Sequence, residues 1–378
     1  MKGTFKLGRI AGIDVFVHWT FLLLVGWFVL IFFGAGGAAG AARGLLLLIA
    51  LFGCVVLHEL GHALTARRYG VKTRDITLLP IGGVARLERI PDDPHQELMI
   101  AIAGPIVNFA IAGVLAIVIL LMGAFSPLEA VVTVTGPFLQ QLLWFNVIIG
   151  GFNLLPAFPM DGGRILRSIL ARYTDYVTAT ETAARVGQGM AILFGILGLL
   201  VFNIFLIFIA LFVYLGAQAE AHSVQIRAVV RGVPVKAAMM TRFQTLSQWQ
   251  TLGAAADEVV AGAQQDFPVF DDGECVGLLY RRDLFHALTE RGRDVPVSDV
   301  MQREFPTVSD AAMLETVFEQ MQHNGTSMVP VTSHGELVGL ITLENVGEWV
   351  MIRSALQRRE PDHEDAAGRF PRNLTVRA

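Results

Sequence analysis

A polytopic α-helical membrane domain with six spans, followed by a cytosolic α/β domain made of two copies of one motif, is the architecture this sequence predicts. Three observations predict it. The chain of 378 residues is 53% hydrophobic and only 16% charged, whereas ordinary soluble domains carry about 25% charge. The charge is also uneven: residues 1–219 hold 25 of the 62 charged residues and a net +3, and residues 220–378 hold the other 37 and a net −7. Finally, FPVFDDGECVGLLYRRD at 267–283 returns as VPVTSHGELVGLITLEN at 329–345, a period of 62 residues that marks a structural repeat. This composition excludes an all-soluble or disordered chain and a nucleic-acid binder working through bulk positive charge. The two cysteines, Cys54 and Cys275, fall one in each half, which excludes a disulfide framework.

Each span follows from the roughly 20 apolar residues that a helix needs to cross about 30 Å of hydrocarbon. The stretches 15–33, 44–66, 98–122 and 137–155 qualify. The run 188–218 is too long for one upright helix and reads as two, reversing near Phe202-Asn203. Orientation follows the basic residues. Lys2, Lys6 and Arg9 lie in the N-terminal tail, six Lys/Arg in 67–96 and four Arg in 156–187. Segment 34–43 has only Arg43 and segment 123–136 has none. Positive and neutral loops alternate, so both termini are expected in the cytosol and the chain in a cell membrane, with the lipid bilayer as an obligatory partner. Residues 220–232 read as a linker, and the polar, mixed-charge stretch 356–378 as a disordered tail.

The second span reads CVVLHELGHALTA over 54–66. Ionisable residues at this depth are costly and functional by default. His58 and His62 are four apart, share one helical face and can hold one Zn²⁺, and Glu59 beside them can take a proton from a water that the metal activates. A catalytic zinc wants three protein ligands. The candidate for the third is Asp161 in NLLPAFPMDGGR (153–164), where two prolines break the fourth span and Gly162-Gly163 allows close backbone approach. A turn or capping role is the alternative for Asp161. Asn108 and Asn146, polar within spans, are expected to bond across helices, and Cys54 to act as a small packing residue.

HELGH in a membrane span, N-x-x-P-x-x-P-x-D-G about 100 residues later, the Gly82-Gly83 pair and the GPIVN run at 104–108 together resemble the site-2 protease family of intramembrane metalloproteases. The resemblance implies His58, His62 and Asp161 as zinc ligands, Glu59 as general base and Asn153 as a stabiliser of the oxyanion. It also implies a membrane-associated β-hairpin within 76–87, whose edge could receive an extended substrate by strand addition. The substrate class implied is a transmembrane or membrane-tethered protein.

The soluble repeat resembles a tandem pair of CBS domains, about 233–294 and 295–355. That resemblance implies adenine nucleotide as a ligand and the pair as a surface for homo-oligomer formation. Copy two carries Gly339, Thr342 and Asn345 at the positions for phosphate and ribose, with an amide in place of the family's acid. Copy one keeps Gly277 and Asp283 but has Tyr280 where threonine is expected. A purely structural pair is the alternative. For the whole chain the alternative to a protease is a CBS-regulated transporter or channel, but residues 1–219 lack the internal symmetry of that class, and transport has no use for a complete HExxH plus Asp set.

Overall fold

The computed structural model describes residues 3–88, 91, 93–131, 133 and 135–357. Two hairpins and a long helix open the chain. Strands β1 (Thr4–Ile10) and β2 (Ile13–His18) pair antiparallel around Ala11-Gly12, both in the left-handed region as a two-residue turn of the favoured twist requires. Helix α1 (Phe21–Arg68) follows, then β3 (Thr73–Leu79) and β4 (Gly82–Leu87). The four strands form one sheet in the order β1-β2-β3-β4, with β2 and β3 parallel. Its apolar face, Ile13, Val17, Ile76 and Leu78, packs on Val55, Leu60 and Ala63 of α1. The sheet thus lies against the helix segment that carries HELGH.

The first expected span therefore needs correction. Residues 15–18 belong to β2, not to a helix, because Ile13, Val15 and Val17 alternate inward with period two. The expected loop 34–43 is also nearly absent. Within α1 only Gly36 and Gly37 leave helical geometry, Gly37 with φ 60°, a conformation that favours glycine. Phe32 nevertheless packs on Leu47 and Leu51. In a straight helix Leu47 would lie about 22 Å away from Phe32, so the chain doubles back at the two glycines.

Helix α2 (Pro94–Leu121) starts with Pro94 in its first turn and Asp93 accepting from the His95 N–H, the usual chemistry of a helix start. A short turn α3 (Leu128–Val131) leads to α4 (Phe138–Asn153), then α5 (Asp161–Leu170), α6 (Tyr176–Leu200) and α7 (Ile204–Val230). The reversal between α6 and α7 is at Phe202-Asn203, where Phe202 has φ 53° and Asn203 caps the amides of Phe205 and Leu206. Among the described residues four helices, α1, α2, α6 and α7, are long and apolar enough to cross a membrane. Their outer faces expose Leu, Ile and Phe side chains such as Leu23, Leu120, Ile196 and Phe205. The segment expected as a linker is helical as far as Val230.

The chain divides into two compact units at Val224/Gln225. In the second, copy one has β5 (Leu246–Ser247), α8 (Leu252–Ala261), β6 (Phe267–Asp271), β7 (Glu274–Leu279) and α9 (Arg281–Arg291). Copy two repeats them as β8 (Val308–Ser309), α10 (Leu314–Asn324), β9 (Met328–Ser333), β10 (Glu336–Thr342) and α11 (Leu343–Gln357). Each copy builds a three-stranded sheet whose hairpin turns through a left-handed residue and glycine, Asp272-Gly273 and His334-Gly335. The lead segments are exchanged between copies. Met240 pairs with Leu340 of copy two, and its counterpart Gln302 pairs with Leu278 of copy one. Val235 accordingly joins the core of copy two, and Val297 that of copy one. The expected disordered tail, 356–378, lies outside the described residues beyond Gln357.

Candidate metal centre and nucleotide cleft

His58 and His62 sit on the buried face of α1, and Asp161 opens α5. Helix α5 folds tightly onto the loop that precedes it because Gly162 and Gly163 lie flat on the backbone of residues 154–158. A Cβ on Gly162 would stand 2.1 Å from Leu155 O, and one on Gly163 2.6 Å from Phe158 N. The outcome is a triangle of donors. His62 Nε2 lies 3.0 Å from His58 Nε2 and 3.1 Å from Asp161 Oδ2, and His58 Nε2 lies 3.3 Å from Asp161 Oδ2. Zinc bound at about 2.0–2.1 Å in tetrahedral geometry spaces its ligand atoms about 3.3 Å apart.

The far side of each ring fixes what the triangle presents. His62 Nδ1 is 2.7 Å from Ile100 O, and a carbonyl only accepts, so the proton is on Nδ1, and in the neutral ring Nε2 then carries a lone pair. His58 Nδ1 meets Asn108 Oδ1. The same asparagine donates its amide to Asn146 Oδ1 at 2.9 Å, and Asn146 donates to Leu142 O. This chain turns the carbonyl oxygen of Asn108 toward His58 and leaves a second lone pair inward. Two lone pairs and a carboxylate oxygen converging in a buried place repel one another unless a cation lies between them. The donor set therefore fits zinc, and outer partners that orient the rings are the usual companion of such sites. Asn108 and Asn146, both fully buried, do bond across α2 and α4 as expected from sequence. Their link to His58 and the role of Ile100 O could not be read there.

Glu59 is buried next to the triad, and its Oε2 accepts the Ala85 N–H of β4 at 3.2 Å. That amide points away from β3, so β4 is an edge strand whose free side faces Glu59. Gly83 makes the approach feasible, since a Cβ there would stand 2.7 Å from Glu59 Cγ. The hairpin expected within 76–87 is thus β3–β4, which begins three residues earlier, at Thr73, and ends at Leu87 as expected. Asn153 is the last residue of α4 and is half-buried.

In the second unit a cleft of about 680 Å³ is lined by Thr342, Asn345, Asp266, Ser327, Tyr280 and Arg281, among others. Thr342 Oγ1 and Asn345 Oδ1 are 2.6 Å apart. Asp283 is not among the lining residues, and its carboxylate accepts from Gln302 Nε2 at 2.8 Å. Tyr280 is buried against Leu278, Met328 and Leu340, with its hydroxyl directed to Met328 O. Burial and the nearby Asp266 and Asp283 push that hydroxyl up to about 12, so it stays a donor.

His58, His62 and Asp161 form a candidate metal site set in an apolar helical bundle. The profile of peptidase family M50 matches residues 46–197, and the CBS domain profile matches residues 297–351. A zinc metalloprotease of Methanocaldococcus jannaschii is 34% identical over 92% of this chain and 96% of its own length. Rip3 of Mycobacterium tuberculosis is 32% identical over 93% of both chains. A solved site-2 protease from M. jannaschii aligns with 58% of this chain and 95% of its own at 42% identity, with a TM-score of 0.44. The chain belongs to peptidase family M50, the site-2 proteases, and is a membrane zinc metalloprotease that carries a CBS domain.

Proposed function

We propose that this protein is an intramembrane endopeptidase that cuts membrane-spanning or membrane-tethered proteins near the cytosolic face, with adenine nucleotide at the CBS pair modulating the cut. The observation that carries the reading is the convergence of His58 Nε2, His62 Nε2 and Asp161 Oδ2 within 3.0–3.3 Å inside an apolar bundle. These three residues would hold the zinc. Zinc bound there supplies Lewis acidity, which makes a water acidic near neutral pH and polarises a peptide carbonyl. Glu59 accepts the proton of the attacking water and returns it to the leaving amine. Asn153 offers its side-chain amide to the oxyanion that develops on the scissile carbonyl.

Substrate must be extended before attack, because a helix shields its own peptide bonds. The free edge of β4 offers a ladder for such a strand, and the Ala85 amide beside Glu59 places that ladder next to the general base. Six crossings follow if α1 counts as two at Gly36-Gly37 and the sixteen-residue α4 also spans. With basic residues at the N-terminus, in 67–89 and in 164–185, both termini are then cytosolic. Thr342 and Asn345 bind nucleotide phosphate and ribose in the 680 Å³ cleft. Asp283, held by Gln302, contributes to a ribose in copy one only after changing that partner.

The deciding experiment is zinc content together with cleavage of a single-span substrate in vesicles, by wild type and Glu59→Gln. One zinc per chain in both proteins and cleavage by wild type alone is expected. A Glu59→Gln protein that cuts at the wild-type rate refutes the general-base role.

A further inference from the structure

The geometry points to Arg167 as a positioning residue that sets Asp161 against the two histidines. This rests on the zinc reading above. Arg167 is 1% exposed. Its Nε and Nη2 both donate to Glu97 Oε1 of α2, and Nη1 donates to Glu220 Oε1 of α7 at 2.6 Å. The guanidinium also lies between two rings, 5.0 Å from the centroid of Phe158 and 4.9 Å from that of Tyr176. One side chain of α5 thus grips α2, α6, α7 and the loop that precedes α5.

The reacting groups lie close to each end of this grip. Arg167 is six residues, about 9 Å, along the same helix from Asp161. Glu97 is three residues, about one turn, ahead of Ile100, whose carbonyl orients His62. The bond from Arg167 to Glu97 therefore joins the helix that delivers the carboxylate to the helix that aims one imidazole. Helix α5 has only ten residues, its N-cap Met160 makes no side-chain capping bond, and beyond Arg167 its packing on α2 and α6 is through small or apolar side chains such as Leu166. Its glycines fix the N-terminal end, and Arg167 fixes the other.

A merely structural clamp has no need of charge here. Buried ion pairs are weak contributors to stability, and apolar residues of equal volume often serve as well. A guanidinium instead gives direction, because its planar fork admits few arrangements of the carboxylates around it. Lysine keeps the charge and loses that fork.

The test uses the full-length chain in nanodiscs. Zinc affinity is measured by chelator competition, and the visible spectrum of the cobalt-substituted protein reports ligand geometry. Arg167→Lys and Glu97→Gln are expected to weaken zinc about tenfold, the low end of what loss of a ligand's own hydrogen-bond partner costs, because they act on Asp161 and His62 only through the helices, and to alter the cobalt bands. Glu220→Ala should do the same more mildly, since Glu220 is partly exposed. Folded Arg167→Lys and Glu220→Ala proteins with wild-type affinity and spectrum overturn the assignment. Should Arg167→Lys fail to fold, Glu220→Ala decides alone. A wild-type chain that binds no zinc instead refutes the zinc reading, and the inference falls with it.

Discussion

Gly104 packs against His58 and His62 of the candidate metal centre, and Gly104→Ala is a minimal change that reaches it. A Cβ at this position would stand 2.2 Å from His62 Nε2, 2.6 Å from His62 Cε1 and 2.7 Å from His58 Cε1. Ordinary van der Waals contact begins at 3.4 Å, so the His62 ring has to retreat by about 1.2 Å or α2 has to move by as much. Metal–ligand distances tolerate about 0.2 Å. Neither movement is cheap, because His62 is held by Ile100 O on α2 itself, and α2 touches α1 at Gly61, where a Cβ would stand 2.9 Å from Ala103 O. Overpacking of this kind costs about 1–3 kcal/mol of stability, and the loss of metal geometry should exceed it. We expect zinc affinity to fall at least 100-fold, with activity lost in proportion, while the protein still folds. Chelator competition on purified Gly104→Ala measures this, with Gly113→Ala as the control on the same helix, where a Cβ meets nothing within 4 Å. Stoichiometric zinc and wild-type turnover in Gly104→Ala would show that the packing around His62 is not as described.

Glu59→Gln should retain zinc and lose about 10²–10⁴-fold in cleavage, the usual share of a general base, whereas Asp161→Ala should lose both metal and activity; metal analysis beside a cleavage assay separates the two. Asn108→Ala should weaken zinc about 10- to 100-fold, because His58 loses the oxygen that fixes its proton on Nδ1, and an unchanged affinity would exclude that role. Reporter fusions test the crossings: one after Gln225 should report cytosol and one within 34–43 the opposite side, and an external signal after Gln225 would overturn the topology. Thr342→Val should weaken adenine-nucleotide binding to the full-length protein in calorimetry, and absence of binding to wild type at millimolar nucleotide would leave the pair a structural module.

Much of the candidate site was legible because its residues sit in short motifs with helical spacing. His58, Glu59 and His62 needed only the period of one helix, and Asp161 was marked by the prolines and glycines that break the chain before it. The reversal at Phe202-Asn203 was legible from length, and the soluble unit from its period. The groups that hold the rings were not, since Ile100 acts through its carbonyl and any residue has one. Arg167 entered only as one of four arginines in the segment 156–187, and nothing local tells that it will meet Glu97, 70 residues away, in the interior. Strand β2 was hidden in an apolar stretch long enough to join to a span, and β1 in the basic N-terminal tail. The alternation of Ile13, Val15 and Val17 was the one signal of β2. The exchange of lead segments between the two repeats could not be read from the period, which is the same whether each copy closes on itself or on its neighbour.

Zinc-edge anomalous diffraction from crystals of the full-length wild-type protein tests the central claim most directly. A single strong peak is expected, bounded by His58 Nε2, His62 Nε2 and Asp161 Oδ2, about 2.0–2.2 Å from each, with Cys54 outside bonding distance. A peak coordinated by the Cys54 sulfur, or a metal bound without Asp161, would contradict it.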